Sequence, residues 1–176
     1  MLGSTFFFTF VGTFSYVTYR LERPPFVFGT AATSLVFCLW VLGAAGPLVG
    51  RLADRLGWQR VGLAALGLAA AGIALTFPAT LPTLFGGLAL VTLANFAGVT
   101  AAQLGVAGSA DVDRGTASGI YFSLYYASGA LGGYLPALAW QAWGWSGVAL
   151  LGLAVIGAAA LLLLSSRGTA SARRRA

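Results

Sequence analysis

The sequence predicts an all-α membrane protein of six transmembrane helices, and three observations carry that expectation. Of 176 residues, 59% are hydrophobic and only 8% charged, too little polar material to cover the surface of a soluble domain. Six mostly apolar stretches follow one another, each close to the roughly 20 residues needed to cross the hydrocarbon core. The ten arginines and four acidic residues all lie between or beyond those stretches. A charge at the centre of a spanning helix costs roughly 2.5 to 3.5 kcal/mol, which drives charges to the ends.

The first span runs from Leu2 to Tyr19 and stops before the charged segment Arg20 to Pro25. It lacks the basic start and small-residue cleavage site of a secretory signal peptide. Met1 stands almost inside it, without a basic anchoring segment, as if a longer chain had been cut. The second span, Phe26 to Val49, holds Cys38, the one cysteine, which reads as a small packing residue. The third, Val61 to Phe77, and the sixth, Gly147 to Leu164, are nearly all Ala, Leu, Gly, Val and Ile, with Thr76 the one polar side chain, and suit lipid-facing or supporting positions. The fourth and fifth run from Thr83 to Val106 and from Ala117 to Ala139. Residues 1–164 thus form one six-helix domain, and 165–176 a basic, disordered cytoplasmic tail.

Arginines divide unequally among the connections. Three fall at 51–60, one at 107–115 and four in the tail, against two at 20–25 and none in the other two connections. By the positive-inside rule the rich connections and both termini are cytoplasmic. The net charge of +6 therefore reads as topology and not as nucleic-acid binding. Without histidine or lysine, and with a single cysteine, the chain offers no Ser/His pair, no Cys/His metal cluster and no phosphate-binding Gly-Lys loop. Neither an enzyme nor a cofactor site is expected.

Polar side chains concentrate on spans one, four and five. At 100° per residue Thr5, Thr9, Thr13 and Tyr16 share one face, as do Thr92, Asn95 and Gln103, and Ser118, Tyr121, Tyr125, Ser128 and Gly132. Either these faces line a wet pathway for a small-molecule substrate, or the hydroxyls bond to their own helices and the tyrosines pack between helices. The pathway candidates are Thr9, Thr13, Tyr16, Thr92, Asn95, Gln103, Tyr121 and Tyr125. Glycines four apart, Gly46 and Gly50, Gly115 and Gly119, Gly129 and Gly133, predict faces for close helix packing.

Sliding the chain along itself by 87 residues superimposes Gly57-Trp58 on Gly144-Trp145 and Gly46 on Gly133, suggesting two three-helix units of opposite topology. Between spans two and three stands Gly50-Arg51-Leu52-Ala53-Asp54-Arg55-Leu56-Gly57-Trp58-Gln59-Arg60. This run resembles the loop signature of the major facilitator superfamily, G-x-L-A-D-R-x-G-R-[RK]-[RK]. Gly50, Leu52, Ala53, Asp54, Arg55, Gly57 and Arg60 match, while Trp58 and Gln59 depart where basic residues are usual. The stretch from Arg114 to Gly133, with Gly115, Ser118, Tyr121, Tyr125, Tyr126, Gly129 and the Gly132-Gly133 pair, resembles the eleventh helix of bacterial drug and sugar efflux members. With the order of connections, the whole chain resembles helices seven to twelve of that family.

The resemblance implies a secondary, proton-coupled transporter of a bacterial inner membrane that works by alternating access. In it Gly50, Asp54, Arg55, Gly57 and Arg60 form a gating loop, with the Asp54 carboxylate against the positive end of a neighbouring helix. No Asp, Glu, Lys, Arg or His lies within a span, so a proton relay built on those groups would belong to a partner: an N-terminal six-helix half or a second copy. The alternative is a non-transporting scaffold or an inactive fragment.

Overall fold

A computed structural model describes residues 1–108 and 114–173, and the side chains of 1–108 and 115–165. Almost all of what it describes is helical. Asp111, Asp113, Arg174 and Arg175 lie outside the described residues.

The first helix, α1 (Leu2–Leu21), buries Phe6, Phe10, Phe14, Val17 and Leu21, each at 6% exposure or less. Their spacing of three and four residues sets one continuous apolar stripe against the bundle core. A helical run, α2 (Thr30–Leu56), follows; it joins an α-helical turn Thr30–Ser34, a 3₁₀ stretch Leu35–Ala45 and an α-helix Gly46–Leu56. Next come α3 (Trp58–Leu75) and α4 (Leu81–Ala107), the latter with Pro82 in its first turn, where no backbone N–H is needed. The last run, Arg114–Arg173, breaks at Gly144 (φ 58°, ψ −141°) into α5 (114–143) and α6 (145–173).

Four helical runs are long and apolar enough to cross a membrane: Thr30–Leu56, Trp58–Leu75, Leu81–Ala107 and Gly115–Ser165. The six expected spans differ from these four for two reasons. The run Gly115–Ser165 has 51 residues and contains both sides of the Gly144 break. The 20 residues of α1 are long enough to cross, but its Ser, Thr and Tyr side chains dilute its apolar character.

Two expectations are corrected. The gating "loop" at 51–60 is mostly helix: Arg51 to Leu56 are the last turns of α2, Gln59 and Arg60 belong to the first turn of α3, and Gly57 alone joins them. A single residue suffices because Gly57 sits at φ 85°, ψ 141°, a conformation open only to glycine. Finally, a Cβ at Gly46, Gly50, Gly119 or Gly133 would meet nothing within 4 Å, whereas one at Gly129 would drive into the Phe7 ring, so close packing within this chain is seen at Gly129 and not at those four.

Close packing falls elsewhere. A Cβ on Gly72 would lie 2.8 Å from the Gly87 carbonyl oxygen, so α3 and α4 touch backbone to backbone. On Gly132 it would lie 2.5 Å from the Phe8 carbonyl oxygen, which brings α5 equally close to α1. The most extensive pairings are those of α1 with the α5–α6 run and of α3 with α4. Between helices whose outer solvent is as apolar as leucine, contact comes from small residues and dispersion. By contrast α2 is largely exposed, leaning on the core through Trp40 against Phe10 and Phe14 (ring centroids 5.4 and 5.9 Å apart).

Candidate functional site

At the end of the bundle where α1, α3 and α5 begin and α2, α4 and α6 end, a cleft of about 830 Å³ opens among α1, α4, α5 and α6. Its walls are mainly apolar, with Leu2 and Phe8 on α1, Leu124 and Leu131 on α5, and Val155 and Leu162 on α6. Polar groups enter at Ser4, Thr5, Tyr121 and Ser128, and the Trp58 ring, packed on Gly105, closes one side. Tyr121 is 8% exposed, and its hydroxyl, pressed against Gly3, has no hydrogen-bond partner. A buried hydroxyl without a partner costs about 1–3 kcal/mol, a condition Tyr121 shares with Thr9, Thr33 and Asn95.

The other pathway candidates are distributed differently. Thr9 and Thr13 are buried on α1 around a small void of about 10 Å³, facing Pro136 on α5 and Val148 and Gly152 on α6. The Thr9 hydroxyl has no partner there. Tyr16 donates its hydroxyl to the Gly133 carbonyl at 3.0 Å and tilts against the Trp140 ring. Thr92 donates to the Leu88 carbonyl of its own helix at 2.8 Å, as an intramembrane threonine does when no neighbour offers an acceptor. Asn95 is 5% exposed with its Oδ1 unpartnered, while Gln103, two turns on, is exposed. Tyr125 stacks on Phe7 with centroids 4.1 Å apart. Of the eight, Tyr121 alone reaches the large cleft, joined there by Thr5 and Ser128 from the same polar faces.

Arg51, Asp54, Arg55 and Arg60 are all exposed around the Gly57 turn, and no side chain caps the N-terminus of α3. Asp54 stands four residues before Trp58, at the last turn of α2.

Sequence reasoning missed a second polar assembly at the opposite end. Arg20, at the end of α1, donates to the carbonyls of Thr76, Phe77 and Pro78 at 2.6, 3.2 and 3.4 Å, filling acceptors that the C-terminus of α3 leaves open. Its guanidinium lies over the Trp145 ring, 4.9 Å from the centroid, and Trp145 Nε1 donates to Thr76 Oγ1 at 3.1 Å. The one hint was the recurrence of Gly-Trp. Both glycines have positive φ; Trp58, beginning α3, packs on the end of α4, and Trp145, beginning α6, packs on the end of α1.

Fold and composition define an all-α membrane protein. The chain is 28% identical over 149 residues to the uncharacterized MFS-type transporter YybF of Bacillus subtilis (strain 168), a match that covers 84% of this chain and 36% of that protein. It is 24% identical over 143 residues to an uncharacterized transporter of Buchnera aphidicola subsp. Baizongia pistaciae (strain Bp), covering 81% of this chain and 36% of the other. The chain thus spans about a third of the length of these relatives. No family model matches it, and no solved structure matches it.

Proposed function

We propose that this chain is one six-helix half of a secondary transporter of the major facilitator superfamily, corresponding to helices seven to twelve, which moves a small molecule out of a bacterial cell across its inner membrane by alternating access. The observation that carries the reading is the doubled Gly-Trp turn. Gly57 and Gly144 both reverse the chain at positive φ, and each following tryptophan packs on the end of the first helix of the other three-helix unit. This is the arrangement expected of an inverted repeat with both termini on the cytoplasmic side. The signature at Gly50 to Arg60 and the likeness to two bacterial transporters support the same reading.

On this reading Asp54 and Arg55 hold one conformer through a partner surface and release it during transport. Asp54→Asn in the complete transporter then lowers transport by shifting conformer populations while membrane expression stays near normal. Coupling protons are carried by titratable groups of a second six-helix half, or the chain pairs with a second copy for the other wall. The decisive experiment reconstitutes the purified chain in liposomes and follows proton-gradient-driven movement of dyes and sugars, with and without a co-expressed N-terminal half. Transport that requires the partner supports the proposal; robust coupled transport by the chain alone defeats it.

A second reading, a scaffold that transports nothing, draws on the self-satisfied Thr92 and the packed Thr9 and Thr13. In a Cys38→Ala background, cysteines at Thr13, Asn95 and Tyr125 distinguish the two: substrate-protectable maleimide labelling belongs to a pathway, and no labelling to a scaffold.

A further inference from the structure

We infer that the cleft among α1, α4, α5 and α6 is a binding site for an anionic phospholipid, with one acyl chain between α5 and α6 and an ester carbonyl accepting a hydrogen bond from Tyr121. Four observations converge on this occupant. The first is depth. The cleft wall on α5 runs from Tyr121 to Leu131, which is about 15 Å at 1.5 Å per residue. That is half of a hydrocarbon core about 30 Å thick, the reach of one chain from one leaflet. The second is size, since about 830 Å³ falls within the range of roughly 300–1,000 Å³ that ligand sites occupy.

The third is chemistry: the lining is apolar apart from Ser4, Thr5 and Tyr121 toward one end and Ser128 two turns deeper, and the Tyr121 hydroxyl is buried without a partner. An acyl chain satisfies the walls and an ester oxygen satisfies the hydroxyl, which a bare alkane does not. The fourth is charge. Among the described residues, Arg51, Arg55 and Arg60 are exposed at the end of the bundle at which the cleft opens, the backbone of Arg114 begins α5 there, and that of Arg167 lies in the last turns of α6. Such clusters attract anionic headgroups near the membrane surface. The cleft takes its ligand from the bilayer between α5 and α6, whereas Thr9 and Thr13 turn to a separate void.

The test uses the full chain in nanodiscs of phosphatidylcholine doped with phosphatidylglycerol carrying a photoactivatable diazirine in one acyl chain, with adducts mapped by mass spectrometry. Adducts should concentrate on Leu124, Ala127, Ser128, Val155 and Ala158, several-fold above the exposed Val41 and Leu48 of α2. Tyr121→Phe, which removes one hydrogen bond, should lower cleft labelling about fivefold. Ala127→Trp with Ala158→Trp fills the cleft from two exposed positions and should abolish it while helicity by circular dichroism is unchanged. The same probe on phosphatidylcholine should label the cleft less. Even labelling of α2 and cleft, labelling that survives the filling pair, or equal labelling by both headgroups would overturn the assignment. So would its disappearance when an N-terminal half is co-expressed, since protein would then be the occupant.

Discussion

Replacing Arg20 tests whether the contact between α1, α3 and α6 holds the bundle together. Arg20→Ala removes two short hydrogen bonds to helix-end carbonyls, at 2.6 and 3.2 Å, a longer third, and a guanidinium 4.9 Å from the Trp145 ring. Hydrogen bonds to a charged group contribute about 1.5–3 kcal/mol each, and a partly exposed cation over a ring about 0.5–1 kcal/mol. Because the site is half-exposed and the terms share one side chain, we take the lower bounds, giving a loss of about 2–4 kcal/mol. At about 2–4 °C per kcal/mol for a chain of this size, Tm in detergent should fall by about 4–16 °C. Arg20→Lys keeps the charge but loses the planar fork, and should fall about half as far. Thermal unfolding followed by circular dichroism, with amide exchange at the end of α3, reads both effects. A Tm for Arg20→Ala within about 1 °C of the parent, or a lysine variant as stable as the parent, would refute the reasoning.

The other predictions are also read as thermal stability. Gly57→Ala and Gly144→Ala each force a side chain into a conformation reserved for glycine, and should each cost about 1–3 kcal/mol; equal costs at the two turns would agree with their equivalence. Gly98→Ala drives a Cβ into the Phe6 ring and should cost about 1–3 kcal/mol, with Phe6→Leu recovering part of that loss in a double-mutant cycle; strict additivity would deny the contact. Val27, a β-branched residue at φ 52° and 67% exposed, is strained, so Val27→Asn should raise Tm by about 1–3 °C, and a fall would show that the side chain matters more than the backbone.

Helix existence and order could be read from the sequence because lipid imposes them: a charge-free apolar run about 20 residues long has few alternatives in hydrocarbon. Which face of each helix is inward could not. In water, hydrophobicity sorts buried from exposed, but Phe14 at 2% exposure and Leu161 at 70% are equally at home beside lipid. So α1 buries its phenylalanine stripe and, on another side, Thr9 and Thr13, which a reading by polarity had turned toward a pathway. Of the four-apart glycines Gly129 packs against Phe7 while Gly46, Gly50, Gly119 and Gly133 meet nothing, since spacing gives a face and not a partner, and Gly72 with Gly87 carry no such spacing. Arg20 was read as a topology charge because its acceptors, Thr76 to Pro78, lie more than fifty residues away and meet it only in the fold.

The 3₁₀ stretch of α2 leaves that helix longer than an α-helix of the same residues would be. Eleven residues, Leu35–Ala45, rise about 2.0 Å each in place of the 1.5 Å of an α-helix, so the stretch is about 5.5 Å longer than its residue count requires. Rewinding it to α geometry would draw Asp54 and Arg55 inward by one helical turn. At 100° per residue in place of 120°, it would also swing them about the helix axis by about 220°. Besides Trp40 and the ring of Phe96 against Gly43, the helix is held by the buried Thr33 and Val36 at its start and by Ala53 against Val61 and Ala101 at its end, so rewinding would pull Ala53 out of that contact. A coil that trades length for rotation converts an axial push at one face of a membrane into a turn at the other.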